Sequence, residues 1–182
     1  VGTEIERKFL VDANMVDELF EKDHFYSYLI RQGYIMEDEE EKKVTRVRTT
    51  ESFDHNGIRH DKAYLTIKHQ ADHIAISRTE FEYEIPHLDG ENMLLHLCGP
   101  VLTKKRTVVP YRGKNINMTL AEIISLKWEI DRFVGDKWNG LTIAEIELPR
   151  PDIELTLPKW ITDDVTEDPQ YLNSNLIKSI NT

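Results

Sequence analysis

The sequence predicts an α+β protein: a mainly antiparallel β-sheet or closed barrel, with helices packed outside it. Three observations carry this. Seven segments, EIERKFLV, KVTRVRTT, AYLTIKHQ, TEFEYEIP, LTKKRTVV, KWEIDRFV and LTIAEIEL, alternate charged and apolar residues at the two-residue period of a strand. Turn signals separate some of them, at His55-Asn56-Gly57 and Asn139-Gly140. The residues between the charges, Ile5, Val47, Ile67, Phe81, Tyr83, Ile130 and Ile146, suit packing beneath covering helices. In a closed sheet the charged positions then face inward.

In chain order, EIERKFLV opens as a strand, and Asp12 is placed to cap a helix over residues 13–22. Three strand segments follow over residues 43–50, 63–70 and 79–86, and Asp89 is read as the cap of a helix over 90–97. After LTKKRTVV, Thr119 and Glu122 form a capping-box pattern before Ile123 and Ile124, predicting a short helix. Residues 128–134 and 141–148 form the clearest hairpin. Asp168 followed by Pro169 predicts a last helix over about 170–180. Glu37 to Lys43 reads as a solvated loop or strand entry.

The 182 residues fit a single domain spanning 1–182, with no repeat or low-complexity linker to suggest a second. A net charge of −10 repels nucleic-acid backbones and anionic membranes, so neither is expected as a partner, although a local basic pocket could bind an anion. Cys98 is the single cysteine, which rules out an internal disulfide and a cysteine metal cage. No apolar run is long enough for a membrane span, and a charged strand stands where a signal peptide needs an apolar segment, so a cytoplasmic location is expected. The seven histidines are scattered, no nucleophile motif or glycine-rich phosphate loop occurs, and Trp128, Trp138 and Trp160 read as core or cover residues.

Sorted by sign, the alternating charges fall into two sets. Acidic positions are Glu4/Glu6, Glu82/Glu84 (with Glu80 adjoining), Glu129/Asp131 and Glu145/Glu147; basic positions are Lys8, Arg46/Arg48, Lys68 and Lys104/Arg106. One solvated sheet face explains any single strand, but seven such strands point to an inward charged lumen. Buried ions lose several kcal/mol each in hydration, so such a lumen needs compensation. A polyanion with a divalent metal supplies it: carboxylates hold the metal, while lysines and arginines hold phosphate oxygens. A triphosphate with Mg²⁺ fits both signs.

EIERKFLV with its ExExK pattern, RQGY, TRVRTT, AYLTIK, EFEYEIP, KWEIDRF, GLTIAEIELP and VTEDPQYLNSNL together resemble the CYTH superfamily, the triphosphate tunnel metalloenzymes, most closely its bacterial inorganic-triphosphatase-like branch. The match runs in order over almost the whole chain. It implies an eight-stranded antiparallel tunnel binding a linear triphosphate with Mg²⁺ or Mn²⁺. It also implies metal ligation by Glu4, Glu6, Glu145 and Glu147; a phosphate clamp of Lys8, Arg46, Arg48, Lys68, Lys104 and Arg106; and supporting tunnel carboxylates Glu82, Glu84, Glu129 and Asp131. Tyr34 of RQGY matches a tyrosine that pairs with the ExExK lysine in bacterial relatives. Glu4, Lys8 and Tyr34 are thus the catalytic candidates, with Glu4 orienting or deprotonating the attacking water.

Two departures from the family pattern stand out. PYRGKNINMTLAEIISL intervenes before the WEID strand, as a surface helix, a lid or a contact around Lys114 to Leu126, and KKR replaces KTR, adding Lys105 on the opposite, solvent-facing side. The resemblance implies hydrolysis of tripolyphosphate to pyrophosphate and phosphate by a monomer or homodimer acting on a small-molecule substrate. Rivals are a class IV-type adenylate cyclase, a thiamine or nucleoside triphosphatase and a non-catalytic polyphosphate or nucleotide binding module. The full complement of carboxylates argues against the last, since binding an anion requires only the cations.

Overall fold

A computed structural model of the chain describes residues 2–38, 40, 43–70, 77–113, 117–135, 137–138 and 140–179; side chains of residues 2–4, 70, 77 and 78 lie outside the description. Its strands are β1 (Gly2–Val11), β2 (Tyr26–Asp38), β3 (Lys43–Phe53), β4 (Arg59–Gln70), β5 (Ser77–Ile85), β6 (Leu102–Pro110), β7 (Lys127–Val134), β8 (Thr142–Glu147) and β9 (Ile161–Asp164). The helices are α1 (Ala13–Lys22), α2 (His87–His96), α3 (Leu120–Ser125) and α4 (Asn173–Lys178), with a 3₁₀ turn at Pro169–Tyr171.

The strands form one antiparallel sheet in the order β5-β4-β3-β2-β6-β7-β8-β1-β9, and β1 also pairs with β5 through Gly2–Ile5 and Ser77–Glu80. Among the described residues the sheet therefore has nine strands and not the expected eight. β5 reaches only the first half of β1, and β9 pairs along the second half, Phe9 to Val11, where Arg7 also meets Asp164. β2, a 13-residue strand, was not among the segments marked by charge alternation.

The caps explain where the helices start. Asp12 accepts from the amides of Asn14 and Met15, which fixes α1 where the sequence places it. The Thr119–Glu122 capping box is present, and α3 packs through Ile123 against the outer core while Leu120 and Ile124 stay exposed; Lys114–Ile116 lie outside the described residues. Asp89 does not cap α2: the helix begins at His87 after Pro86, and Asp89 lies in its first turn, where a carboxylate complements the helix dipole. Asp168 does cap, accepting from Gln170, but extended Leu172 splits the expected last helix into the 3₁₀ turn and α4. Both glycine turns form with positive φ, 76° at Gly57 and 93° at Gly140, while Asn139 lies outside the described residues. Of the Glu37–Lys43 stretch, Glu37 and Asp38 end β2, Lys43 starts β3 and Glu40 lies in an exposed turn; the others lie outside the described residues.

Among the described residues, two apolar clusters fix the architecture. One lies on the outer face of β1, β6, β7 and β8 beneath α1, with Trp128 edge-on to Trp160 at 5.3 Å and to Phe9 at 5.7 Å. The other joins Leu102, Phe133 and Ile143 to Leu176 and Ile177 of α4, with Trp138 partly buried beside it. On β2, β3 and β4 the cover is α2, held close because Gly90 lies over Ala63: a Cβ there would meet the Ala63 Cβ at 2.5 Å. Among the described residues, no helix is long and apolar enough to cross a membrane.

Candidate functional site

Strand register sorts the charged residues onto one face. Lys8 is opposite Glu145, and Glu145 opposite Glu129; Asp131 is opposite Arg106, Arg106 opposite Tyr28, and Gln32 opposite Arg48. Tyr34 is opposite Arg46, Arg46 opposite Thr66, Thr66 opposite Glu82 and Lys68 opposite Glu80. Because alternate residues share a side, the sequence candidates from Glu6 to Glu147 lie on this face together. Glu4 lies on β1 opposite Arg78, and its side chain is outside the described residues.

On β1, β8, β7 and β6 the charges form a buried network. Arg106 donates from Nε to Asp131 Oδ1 at 2.7 Å and from Nη2 to Asp131 Oδ2 at 2.6 Å, a two-pronged clasp. Its Nη2 also reaches Glu145 at 2.8 Å, and its Nη1 bonds Glu129. Lys8 Nζ lies 2.7 Å from Glu145 and 3.4 Å from Glu6. Lys104 donates to Asp131, both side chains being 1% exposed, and its ammonium lies over the Phe133 ring.

The titration shifts follow from this packing. Burial alone would raise the Glu145 carboxyl, but Lys8, Lys104 and Arg106 outweigh it and hold the group well below the usual carboxylate range. Burial opposes the charge on Lys8 too, yet Glu145 and Glu6 leave its pKa raised. Arg106 is likewise raised against its burial by Asp131, Glu145 and Glu129. For Lys104 burial wins: with Arg106 acting in the same direction, its pKa is lowered despite Asp131.

On β3, β4 and β5 the same face is looser. Arg48 lies 3.2 Å from Glu82, Arg46 lies 3.7 Å from Glu82 and 3.9 Å from Glu80, and Lys68 lies 2.8 Å from Glu80. Thr66 donates to Glu82 at 3.0 Å. Among the described residues, buried Arg46 Nε, Arg48 Nε and Gln32 Nε2 find no hydrogen-bond acceptor. Burial and the neighbouring Arg46 lower the Arg48 pKa. Tyr28 sits between the two regions: burial raises its hydroxyl while Arg106 and Arg48 both pull it down.

The structure brings Glu6, Lys8, Lys104, Arg106, Glu129, Asp131 and Glu145 into one network and Arg46, Arg48, Lys68 and Glu82 into a second. Glu84 stands apart, exposed and 3.1 Å from Lys62. Tyr34 packs against the cluster around Leu102 and Phe133. Sequence reasoning missed Tyr28, Gln32, Thr66 and the C-terminal segment: the Tyr171 carbonyl lies 3.4 Å from Lys8 Nζ and Asn173 Oδ1 lies 3.5 Å from Lys104 Nζ. Alternation along AYLTIKHQ could have found Thr66; β2 has no charge alternation to mark Tyr28 and Gln32, and although VTEDPQYLNSNL belongs to the family pattern, nothing in it marks the Tyr171 carbonyl or Asn173 as site groups.

The donor set suits a hard divalent cation. Glu6 is directly opposite Glu147 and Glu129 directly opposite Glu145, two like-charged cross-strand pairs that oppose each other without a cation between them. In the arrangement described, Glu145 is engaged by Lys8 and Arg106, and among the described residues no three carboxylates or histidines gather as a formed metal cluster.

Residues 2–178 match the family model described as the CYTH domain. An inorganic triphosphatase of Acetivibrio thermocellus is 39% identical, over 98% of this chain and 96% of its own length. An inorganic triphosphatase of Nitrosomonas europaea is 29% identical over 98% of this chain and 99% of its own. Among solved structures, the inorganic triphosphatase NE1496 superposes with a TM-score of 0.54 at 23% identity, covering 97% of this chain and 95% of that one, a likeness of fold.

Proposed function

This chain belongs to the CYTH domain family, and on that premise we propose that it is an inorganic triphosphatase, hydrolysing tripolyphosphate to pyrophosphate and phosphate. It acts as one domain over residues 1–182, with β1 to β8 working as a closed tunnel and β9 lying outside it; the second pairing of β1, with β5, supports closure. The observation that carries the reading is the set of spare donors on the charged face. Arg46 Nε, Arg48 Nε and Gln32 Nε2 are buried and aimed at no protein acceptor among the described residues, while Lys68 lies on the same face. Phosphate oxygens satisfy such donors with charge-assisted bonds.

Arg46, Arg48 and Lys68 bind one run of phosphate oxygens; Lys8, Lys104 and Arg106, fixed by their carboxylates, present positive charge to the other. Glu6, Glu145 and Glu147, with Glu4, would hold Mg²⁺ or Mn²⁺, which when bound neutralises phosphate charge and aligns an in-line attack. Glu4 orients the water and takes its proton as the new P–O bond forms and the bridging P–O bond to pyrophosphate breaks. Lys8, with Tyr34 near the same end of the face, steadies the carboxylates around the reacting phosphorus. The enzyme is a cytoplasmic monomer or homodimer that needs neither nucleic acid nor membrane.

A substrate panel with Mg²⁺ and Mn²⁺ tests the proposal. Phosphate release from tripolyphosphate is expected to exceed release from nucleoside or thiamine triphosphates. Cyclic AMP from ATP would make the protein a cyclase, and tight binding without turnover would make it a sensor.

A further inference from the structure

A cavity of about 200 Å³ lies on the opposite face of the sheet, between the end of α1 with the residues after it and the outer side of β2, β6 and β7. Phe20 and Phe25, paired edge to face at 6.0 Å, supply apolar lining with buried Ile130, and Lys105 and Arg132 bring positive charge. Lys105 is the residue that KKR adds to the clamp strand, and the chemistry of the charged face makes no use of it.

Three features ask for an anion here. Lys105 and Arg132 are directly opposite on adjacent strands, a like-charged pair that costs stability if unanswered. Asp17 answers Arg132 at 2.6 Å, but among the described residues Lys105 has no ion-pair partner, and the lining carboxylate Asp23 is turned to Arg112 at 3.7 Å. Ser27 and Thr107 hydroxyls lie 2.9 Å apart, so one donates to the other and the second keeps a proton to give.

We propose that this cavity is a separate binding site for a small organic oxyanion, a carboxylate or phosphomonoester whose oxygens meet Lys105 and the Ser27–Thr107 pair. Its apolar body lies against Phe20, Phe25 and Ile130. The volume admits one ring with its headgroup, since a cavity of about 150 Å³ accommodates benzene. The site is independent of the reaction proposed above, although Lys105 lies on β6 between Lys104 and Arg106, directly behind the charged face.

Backbone-amide NMR titrations of the metal-free protein with phenyl phosphate and, separately, benzoate test it. Saturable shifts are expected at Ser27, Lys105, Thr107 and Arg132 with at least one probe, and the probe that binds identifies the headgroup. Arg48→Ala, on the other face, should leave them intact; Lys105→Ala, an exposed change that leaves folding unaffected, should weaken binding about tenfold. The proposal fails if neither probe saturates these amides by on the order of 10 mM, if saturation survives Lys105→Ala unchanged, or if the shifts are confined to the opposite face.

Discussion

The half of the charged face on β6, β7, β8 and β1 and the half on β3, β4 and β5 carry the same residue types but differ in how the charges are satisfied. In the first, Arg106 spends its guanidinium on Asp131, Glu129 and Glu145, and Lys8 and Lys104 are each held by a carboxylate. In the second, Arg46 reaches its carboxylates only at 3.7 to 3.9 Å and keeps a donor to spare, and Glu82 is 33% exposed. Cover accounts for part of the contrast: the first half is backed by the large outer cluster, whereas Ile67, Phe81 and Tyr83 on the outside of β4 and β5 remain exposed. Cations ringed by carboxylates neutralise one another, whereas Arg46 and Arg48, with donors buried and unmet among the described residues, are left for a ligand to answer.

The largest expected effect is on stability in the first half. Asp131→Ala strips the carboxylate from two buried cations and should cost about 3–5 kcal/mol in chemical denaturation, against less than about 1 kcal/mol for Glu82→Ala. Equal losses would erase the contrast. The next effect is on binding in the second half. Arg48→Ala should weaken tripolyphosphate binding by about 1.5–3 kcal/mol in calorimetry while barely moving the melting temperature; unchanged affinity would place the substrate elsewhere.

A pH titration sharpens the comparison further. The folded Glu145 pKa is depressed, so its contribution to stability is present above the unfolded value of about 4.3 and is lost as pH falls through the depressed folded value. Acid denaturation of the wild type should show this loss, and Glu145→Gln should flatten it; an unaltered slope would assign the acid sensitivity to other carboxylates. The smallest effect concerns Glu147, exposed and opposite Glu6. Glu147→Gln should raise the melting temperature in EDTA slightly, by removing up to about 1 kcal/mol of cross-strand repulsion, and should shrink the upward shift that Mg²⁺ or Mn²⁺ gives. A full metal-induced shift in the variant would take Glu147 out of the metal site.

What could be read from the sequence depended on charge. Seven strands announced themselves because charged and apolar residues alternate, and the face they share followed from that period. β2 did not, because its positions on that face are Tyr28, Ile30, Gln32 and Tyr34, none of them ionised at neutral pH. β9 is four residues, ITDD, too short and polar for any period to show. Membership of the charged face was legible, but the identity of each partner was not, since register alone decides that Arg106 meets Asp131 while Arg48 keeps a donor free. Asn173 and the Tyr171 carbonyl act across more than 60 residues of chain, a distance at which local pattern carries no signal.

The pairing of β1 with β8 has a consequence for biosynthesis. Lys8 and Glu145, neighbours in the folded protein, are separated by most of the chain. At roughly 5–20 residues per second, a ribosome takes on the order of 7–27 s to travel from one to the other. Through that interval the second half of β1 has neither β8 nor β9 to pair with, although its first residues can meet β5 earlier. An unpaired strand edge is a template for wrong partners, and the charged side chains of EIERK, which keep their water and resist dry packing against another strand, protect it while it waits.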